Sequence, residues 1–396
     1  MATSAIKPDM DFIRDIRKAG GDSVKKCYQC ATCSVVCNLS PDKKPFPRKE
    51  MLMAQWGRLD MLVKDPDVWL CYQCNDCSIH CPRNARPGDV LAAVRAYVYR
   101  NYAFPSFMGK ALATPAALPL LLLVPILIMV ACIFLTAPRT AEGAFLFAQE
   151  NVIDFNLFLP HSTVDALFVF GNILIFILAA VGFMRFWKNL KSPGDQQVMS
   201  FWPAAWATFT EVIMHRRFKQ CEANSIRSTA HILLLAGFVG AMITTGLVLF
   251  FVFLPHYANL LGFESVNSFF HVPIDLPHPV KFLGAASGLL IFLGSGIMLL
   301  RRWGAKDEVG ASGYADNLFL YIIFLTGLTG LASWLLRVAG SASVAYASYF
   351  LHILFVYFLL WYMPYSKFAH MFYRTLALTH ARMIGRWTGE EEAGTE

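Results

Sequence analysis

Apolar residues along this chain fall into two regimes. From about residue 113 onward they run in six near-continuous blocks, at roughly 113–136, 163–187, 229–254, 280–300, 316–337 and 345–366. Each block approaches or exceeds the ~20 residues needed to cross a bilayer core. Ahead of residue 100 the apolar positions are sparse and helically spaced. Phe12, Ile13 and Ile16 mark one side of a polar amphipathic helix within 1–26, and Met51, Leu52, Trp56, Leu59 and Leu62 recur between Arg48 and Lys64. A further helix is expected from Pro87-Gly88-Asp89 through Tyr99. No alternating strand pattern separates these helices, so the expected class is all-α. The expected domains are a soluble helical unit over 1–100, a linker over 101–112, a membrane bundle over 113–375 and a tail over 376–396. Within the bundle, 192–227 is long for a simple connection. Phe201, Trp202, Trp206 and Phe209, followed by His215, Arg216 and Arg217, predict an amphipathic helix lying in the headgroup region as an interface anchor.

The soluble unit carries the densest chemistry. Cys27, Cys30, Cys33 and Cys37 form a C-x2-C-x2-C-x3-C run, and Cys71, Cys74, Cys77 and Cys81 repeat it with Pro82 next. Three thiolates two residues apart can wrap one cubane corner by corner, and this run holds [4Fe–4S] clusters in ferredoxins, where the fourth Cys ligates the other cluster. Zinc fits poorly, because its sites take four ligands, usually as two separated pairs. Disulfides would require an exported domain. The eight thiols therefore predict two [4Fe–4S] clusters in an α-helical ferredoxin domain. Cys132 and Cys221 have no second Cys at ligand spacing and read as small packing residues.

Composition and charge then fix the setting. The 396-residue chain is 56% hydrophobic, with a mean hydropathy of +0.47, which places most of it in lipid. Residues 1–26 carry Lys7, Arg14, Arg17 and Lys18 without an apolar core, so no cleavable signal is expected. Arg185, Lys188, Lys191, Arg216, Arg217, Lys219 and Arg227 follow the second block; Arg301, Arg302 and Lys306 end the fourth; Lys367, Arg374, Arg382 and Arg386 follow the sixth. The opposite loops hold Arg139 and Arg337 only. Positive-inside then puts both termini and the clusters in the cytoplasm of a multi-pass inner-membrane protein. This distribution accounts for the net charge of +7, and no nucleic-acid role is expected.

Ionisable residues within spans are functional candidates. His352 and His370 are 18 residues apart, which is five turns and about 27 Å on one continuous helix. One helix would then offer an axial ligand near each side of the bilayer, one to each of two stacked b haems. His231, at the cytoplasmic end of the third block, is level with His370. On the other side the partner of His352 is open among His278, His161 and the loop residues His256 and His271; we favour His278 and keep His161 as the alternative. His215 and His380 read as solvated or interfacial.

Two resemblances follow from these residues. Leu276-Pro277-His278-Pro279-Val280-Lys281, continuing through Gly284–Gly288 to Arg301-Arg302, resembles a span of the respiratory nitrate reductase γ subunit, and the helix of His352 and His370 resembles that family's haem helix. The likeness covers about 225–375. It implies that His231 and His370 hold the cytoplasmic-side haem and that Lys281 serves a quinone site. The family's remaining ligand, ten residues after the first, is Ala241 here. Residues 20–95 resemble the iron–sulfur subunit of heterodisulfide reductase. The fusion of the two is similar to the C-subunit family of quinone-interacting membrane-bound oxidoreductase (Qmo) complexes of sulfate reducers. That likeness implies menaquinone, two cytosolic flavin/iron–sulfur subunits and adenylylsulfate reductase as partners.

The expected function is thus an electron-transfer subunit of a quinone-dependent oxidoreductase complex. No flavin or nucleotide fingerprint is present, and Gly284–Gly288 lies within a span where small residues pack helices, so no complete active site for the soluble substrate is expected in this chain. The rivals are a membrane subunit of a heterodisulfide-reductase-like or other sulfur-metabolism complex, and a membrane anchor with a structural haem.

Overall fold

The computed structural model describes residues 7–42, 44–148, 153–191, 195–219, 225–250, 259, 261–262, 278–304, 310 and 312–386. His256, His271 and Cys221 lie outside the described residues. Among those described, every regular element is helical, and a single isolated bridge pairs Arg139 with Phe145. The protein is all-α, as the apolar periodicity predicts.

Among the described residues, six helices are long and apolar enough to cross a membrane: Pro115–Thr136, His161–Leu190, Ile226–Val248, Pro279–Gly304, Tyr314–Val338 and Ala342–Trp361. Large apolar side chains such as Leu120, Leu127, Leu135, Phe176 and Met242 point outward from them, which is the surface expected of a chain solvated by acyl tails rather than water. The third and fourth spans approach through small residues. A Cβ on Gly237 would lie 2.9 Å from the Ile291 nitrogen, and one on Gly294 would lie 2.7 Å from the Ala230 oxygen. Backbones in this proximity gain dispersion and leave no room for a larger residue.

The sixth span departs from expectation. It stops at Trp361 and gives way to two 3-10 turns, Met363–Tyr365 and Lys367–Ala369, before a separate helix begins at His370. Pro364 is the cause, because it supplies no N–H and disfavours helical backbone in the residue before it. Ser366 is extended and its hydroxyl accepts from the Phe368 amide, starting the next turn. His352 and His370 therefore do not share one face of one helix, and the five-turn spacing does not measure their separation.

The helix His370–Met383 takes in residues expected in the tail and buries Tyr373, Ala377, Leu378 and Met383. It joins the cysteine-bearing domain to the bundle. One core runs from Phe12, Ile16, Met51 and Trp69 through Val90 and Val94 of the helix Pro87–Tyr102 to Phe186, Tyr373 and Leu378. Trp69 stacks on Tyr373 at 6.0 Å and meets the edge of Phe186 at 5.7 Å. Arg386 adds an ion pair to Asp67, itself 3.1 Å from Lys49. The expected linker is partly helical, Ser106–Leu112. The two domains are held by a shared core rather than by a tether.

The helix Phe201–Met214 lies against this C-terminal helix. Its inner side carries Ala204, Thr208 and Glu211, while Trp202 (79% exposed), Trp206 and Phe209 face outward. Arg382 bonds both Thr208, at 3.0 Å, and Glu211. Polar inward and aromatic outward is the inverse of a water-solvated helix, and it suits a headgroup boundary.

Candidate functional site

The two cysteine runs adopt the same backbone path. In Cys-Tyr-Gln-Cys-Ala-Thr-Cys, Gln29 and Ala31 have φ of 60° and 70°; in Cys-Tyr-Gln-Cys-Asn-Asp-Cys, Gln73 and Asn75 have 54° and 71°. Left-handed residues without glycine are uncommon, and four at matched positions mark a loop wound around a centre. Each loop ends in one helical turn, Thr32–Val35 or Asp76–Ile79, which carries the third cysteine.

The thiols sort across the runs. Cys27, Cys30 and Cys33 line one cavity together with Cys81. Cys37 lies instead within electrostatic reach of Cys71 and Cys74, and among the thiols Cys77 is influenced most by Cys71, then by Cys74 and Cys37, and least by Cys33. These residues fit a pair of [4Fe–4S] clusters on three observations. The eight thiols are free of disulfides. Donors point at the sulfurs, with the Gln73 amide 3.3 Å from Cys71 Sγ, the Ala85 amide 3.3 Å from Cys81 Sγ and Gln29 Nε2 3.4 Å from Cys27 Sγ. Burial, with neighbouring thiols adding to it, pushes Cys33 up to about 11 and Cys37 up to about 12. Thiols crowded in this way ionise together only when a cation joins them.

The runs face different surroundings. Around the first, Cys30 and Tyr28 are exposed and Val35 is 84% exposed. The second faces the bundle. Arg374 donates to the Trp69 carbonyl at 3.1 Å and the Cys71 carbonyl at 2.6 Å, with its guanidinium 3.9 Å above the Tyr72 ring. Arg227 donates to the Gln73 carbonyl at 2.6 Å. Arg227 precedes His231 by four residues and Arg374 follows His370 by four, so each shares a helix face with its histidine. In the sequence both arginines are legible only as topology charges; their spacing from the two histidines is the available signal.

His231 and His370 lie within interaction range of one another. His370 Nδ1 is hydrogen-bonded to the Lys367 carbonyl. His352 Nδ1 is 3.1 Å from the Thr326 carbonyl, and its ring rests on Gly330, where a Cβ would come within 2.9 Å of Cε1. A carbonyl oxygen only accepts, so Nδ1 carries the proton in both rings and the lone pair sits on Nε2. That is the arrangement of an imidazole that ligates a metal, and it fits an axial haem ligand. The described contacts of His352 are to the fifth span. His278 Nδ1 accepts from the Val280 amide at 3.3 Å, and the His161 amide donates to Asn156 Oδ1 at 2.9 Å; both stand at helix starts. Lys281 is half-buried in the first turn of the fourth span.

Two histidines depart from expectation. His215 is 6% exposed, with Nε2 2.8 Å from His231 Nδ1. His380 is buried against Trp187, its Nε2 3.9 Å from the Asp195 carboxylate. Neither is solvated: His215 packs against His231 of the third span and His380 against Trp187 of the second.

The fold and the thiol geometry define an iron–sulfur electron-transfer protein with a multi-pass membrane part. Residues 23–85 match the 4Fe-4S dicluster domain family. The chain is 35% identical over 88 residues to the C subunit of the H(2):CoB-CoM heterodisulfide,ferredoxin reductase of Methanothermobacter marburgensis, covering 22% of this chain and 47% of that protein. It is 33% identical over 92 residues to a protein of Archaeoglobus profundus that is like the heterodisulfide reductase C subunit, covering 23% and 49%. The N-terminal domain is thus homologous to the C subunit of heterodisulfide reductase, and the chain spans about half the length of these curated relatives. A longer match, 25% identical over 314 residues, is to citrate utilization protein B of Escherichia coli and covers 77% of this chain and 76% of that protein. No solved structure matches the chain.

Proposed function

We propose that this chain is the membrane subunit of a respiratory oxidoreductase complex, exchanging electrons between menaquinone or menaquinol, b-type haem and two [4Fe–4S] clusters. Haem and cluster would supply reversible one-electron chemistry. Cys27, Cys30, Cys33 and Cys81 would hold one cluster and Cys71, Cys74, Cys77 and Cys37 the other. His231 and His370 would hold the cytoplasmic-side haem, and His352 the distal one with His278, or with His161 in its place. Lys281 would donate a hydrogen bond or proton to a quinone oxygen. The observation that carries this reading is the pair of arginines. Arg227 and Arg374 bond the backbone of the second cysteine loop from helices that bear His231 and His370 one turn away. The candidate haem site and the second cluster site are thereby held at a fixed separation.

In this reading the partners are two cytosolic flavin/iron–sulfur subunits and, in sulfate respiration, adenylylsulfate reductase. The resemblance to the membrane subunits of Qmo complexes supports this assignment, and the homology to heterodisulfide reductase subunits supports membership of a multi-subunit complex. A second reading keeps the conduit and changes the soluble partner. It is favoured by the long match to citrate utilization protein B, and affinity purification from the native membrane separates the two by the flavoprotein recovered.

The test is a pyridine haemochrome count per chain with iron and sulfide analysis, followed by quinol-driven reduction. Lys281→Leu is expected to slow haem reduction by menaquinol while leaving haem content intact; an unchanged rate removes Lys281 from the quinone site. Topology is checked separately. A reporter after Glu396 is expected to read cytoplasmic and one in the 254–276 loop periplasmic, and the reverse pattern would put the clusters on the oxidising side and sink the assignment.

A further inference from the structure

His215 takes part in none of the roles assigned above, yet its position is unusual. It terminates the helix Phe201–Met214 with φ 53° and ψ 30°. That left-handed corner after a helix is ordinarily taken by glycine, since a Cβ is disfavoured there. Here it holds an imidazole turned inward and buried. Nδ1 is 3.1 Å from the Ile213 carbonyl two residues back, and Nε2 is 2.8 Å from His231 Nδ1.

The direction of the proton follows from the ends of this chain of bonds. The Ile213 carbonyl can only accept, so His215 Nδ1 carries the hydrogen. With the hydrogen on Nδ1, Nε2 of the His215 imidazole is left as the acceptor. His231 Nδ1 therefore donates to it, and the lone pair of His231 lies on Nε2. His370 and His352 reach the same tautomer by donating Nδ1–H to the carbonyls of Lys367 and Thr326. For His231 the acceptor is a second imidazole, supplied by the end of the helix Phe201–Met214 rather than by its own span.

We propose that His215 is a positioning residue for His231: by accepting the Nδ1 proton it fixes the tautomer and ring orientation that present Nε2 to a haem iron. The proposal rests on the reading of His231 as an axial ligand. An acceptor on Nδ1–H also makes the imidazole a stronger electron donor, which favours ferric iron. Losing it should raise the haem midpoint potential without emptying the site.

The experiment uses the full-length protein in detergent, with cluster EPR as the control for folding. His215→Gly keeps the left-handed corner unstrained and removes the acceptor. It is expected to retain low-spin haem with about 10- to 100-fold weaker retention on haem transfer to an acceptor protein, shifted g-values and a higher midpoint potential. His215→Gln, whose amide oxygen can stand where Nε2 does, is expected to restore most of each. Where the glycine variant does not fold, His215→Asn carries the same expectation, since Asn tolerates the left-handed region and is too short to reach His231. Wild-type retention, g-values and potential in His215→Gly would overturn the proposal and leave the haem reading standing. Loss of that haem as complete as in His231→Ala would make His215 a ligand and overturn it also. Full haem retention in His231→Ala would remove both the ligand assignment and the proposal.

Discussion

In Cys81→Ser, the cluster signal expected to disappear is the one built by the first cysteine run, and in Cys37→Ser the one built by the second. The C-x2-C-x2-C-x3-C run predicts this crossing, although Cys81 follows Cys77 by only four residues and Cys37 follows Cys33 by four. The fold separates these neighbours. Cys81 lines the cavity of Cys27, Cys30 and Cys33, while Cys37 lies with Cys71 and Cys74. A four-residue step carries the chain off the short helix that bears the third thiol, so the fourth thiol is delivered to the other centre. EPR of the two reduced variants distinguishes the patterns, because the first site is partly exposed and the second is enclosed by Arg227, Arg374 and the bundle. The effect is expected to be loss of one signal with the other kept. Loss confined to the same-run cluster in both variants would sink the crossed arrangement.

On the proposed ligand assignment, His231→Ala and His370→Ala are each expected to abolish the same low-spin haem. The two rings are within interaction range across the junction of the third span and the C-terminal helix, and a low-spin b-type centre needs both imidazoles. Neither change should touch the clusters, because Arg227 and Arg374 hold the second cysteine loop. Optical and EPR spectra of the purified variants check this. A normal low-spin spectrum at full haem content in either one shows that the pairing is wrong. Because His370 starts its own helix after Pro364, its removal should leave the His352 environment against Thr326 and Gly330 unchanged.

Much of this protein is local and therefore legible along the chain. The cysteine runs carry their chemistry in spacing alone, because three ligands of each cluster lie within one short loop. The spans are legible because lipid demands uniform apolarity over a fixed length, whatever the neighbours; the predicted and observed positions of the first five agree to within a few residues, apart from the end of the third, which lies outside the described residues. Hydropathy overextends the sixth because its apolar run continues past Trp361, and apolarity does not register the break that Pro364 imposes on the backbone. What only the tertiary structure decides depends on residues far apart in sequence. The exchange of Cys37 and Cys81 between sites is expected from the run itself, whereas the side-by-side placement of the two loops that delivers it is tertiary. Arg227 and Arg374 read as membrane-edge charges until the second loop is placed between them. His215 reads as a surface residue because its neighbours Arg216 and Arg217 are basic; its burial comes from the fold that sets its left-handed corner against the third span. Charge and hydropathy are properties of a segment, whereas a hydrogen bond between the His215 and His231 imidazoles depends on where two segments meet.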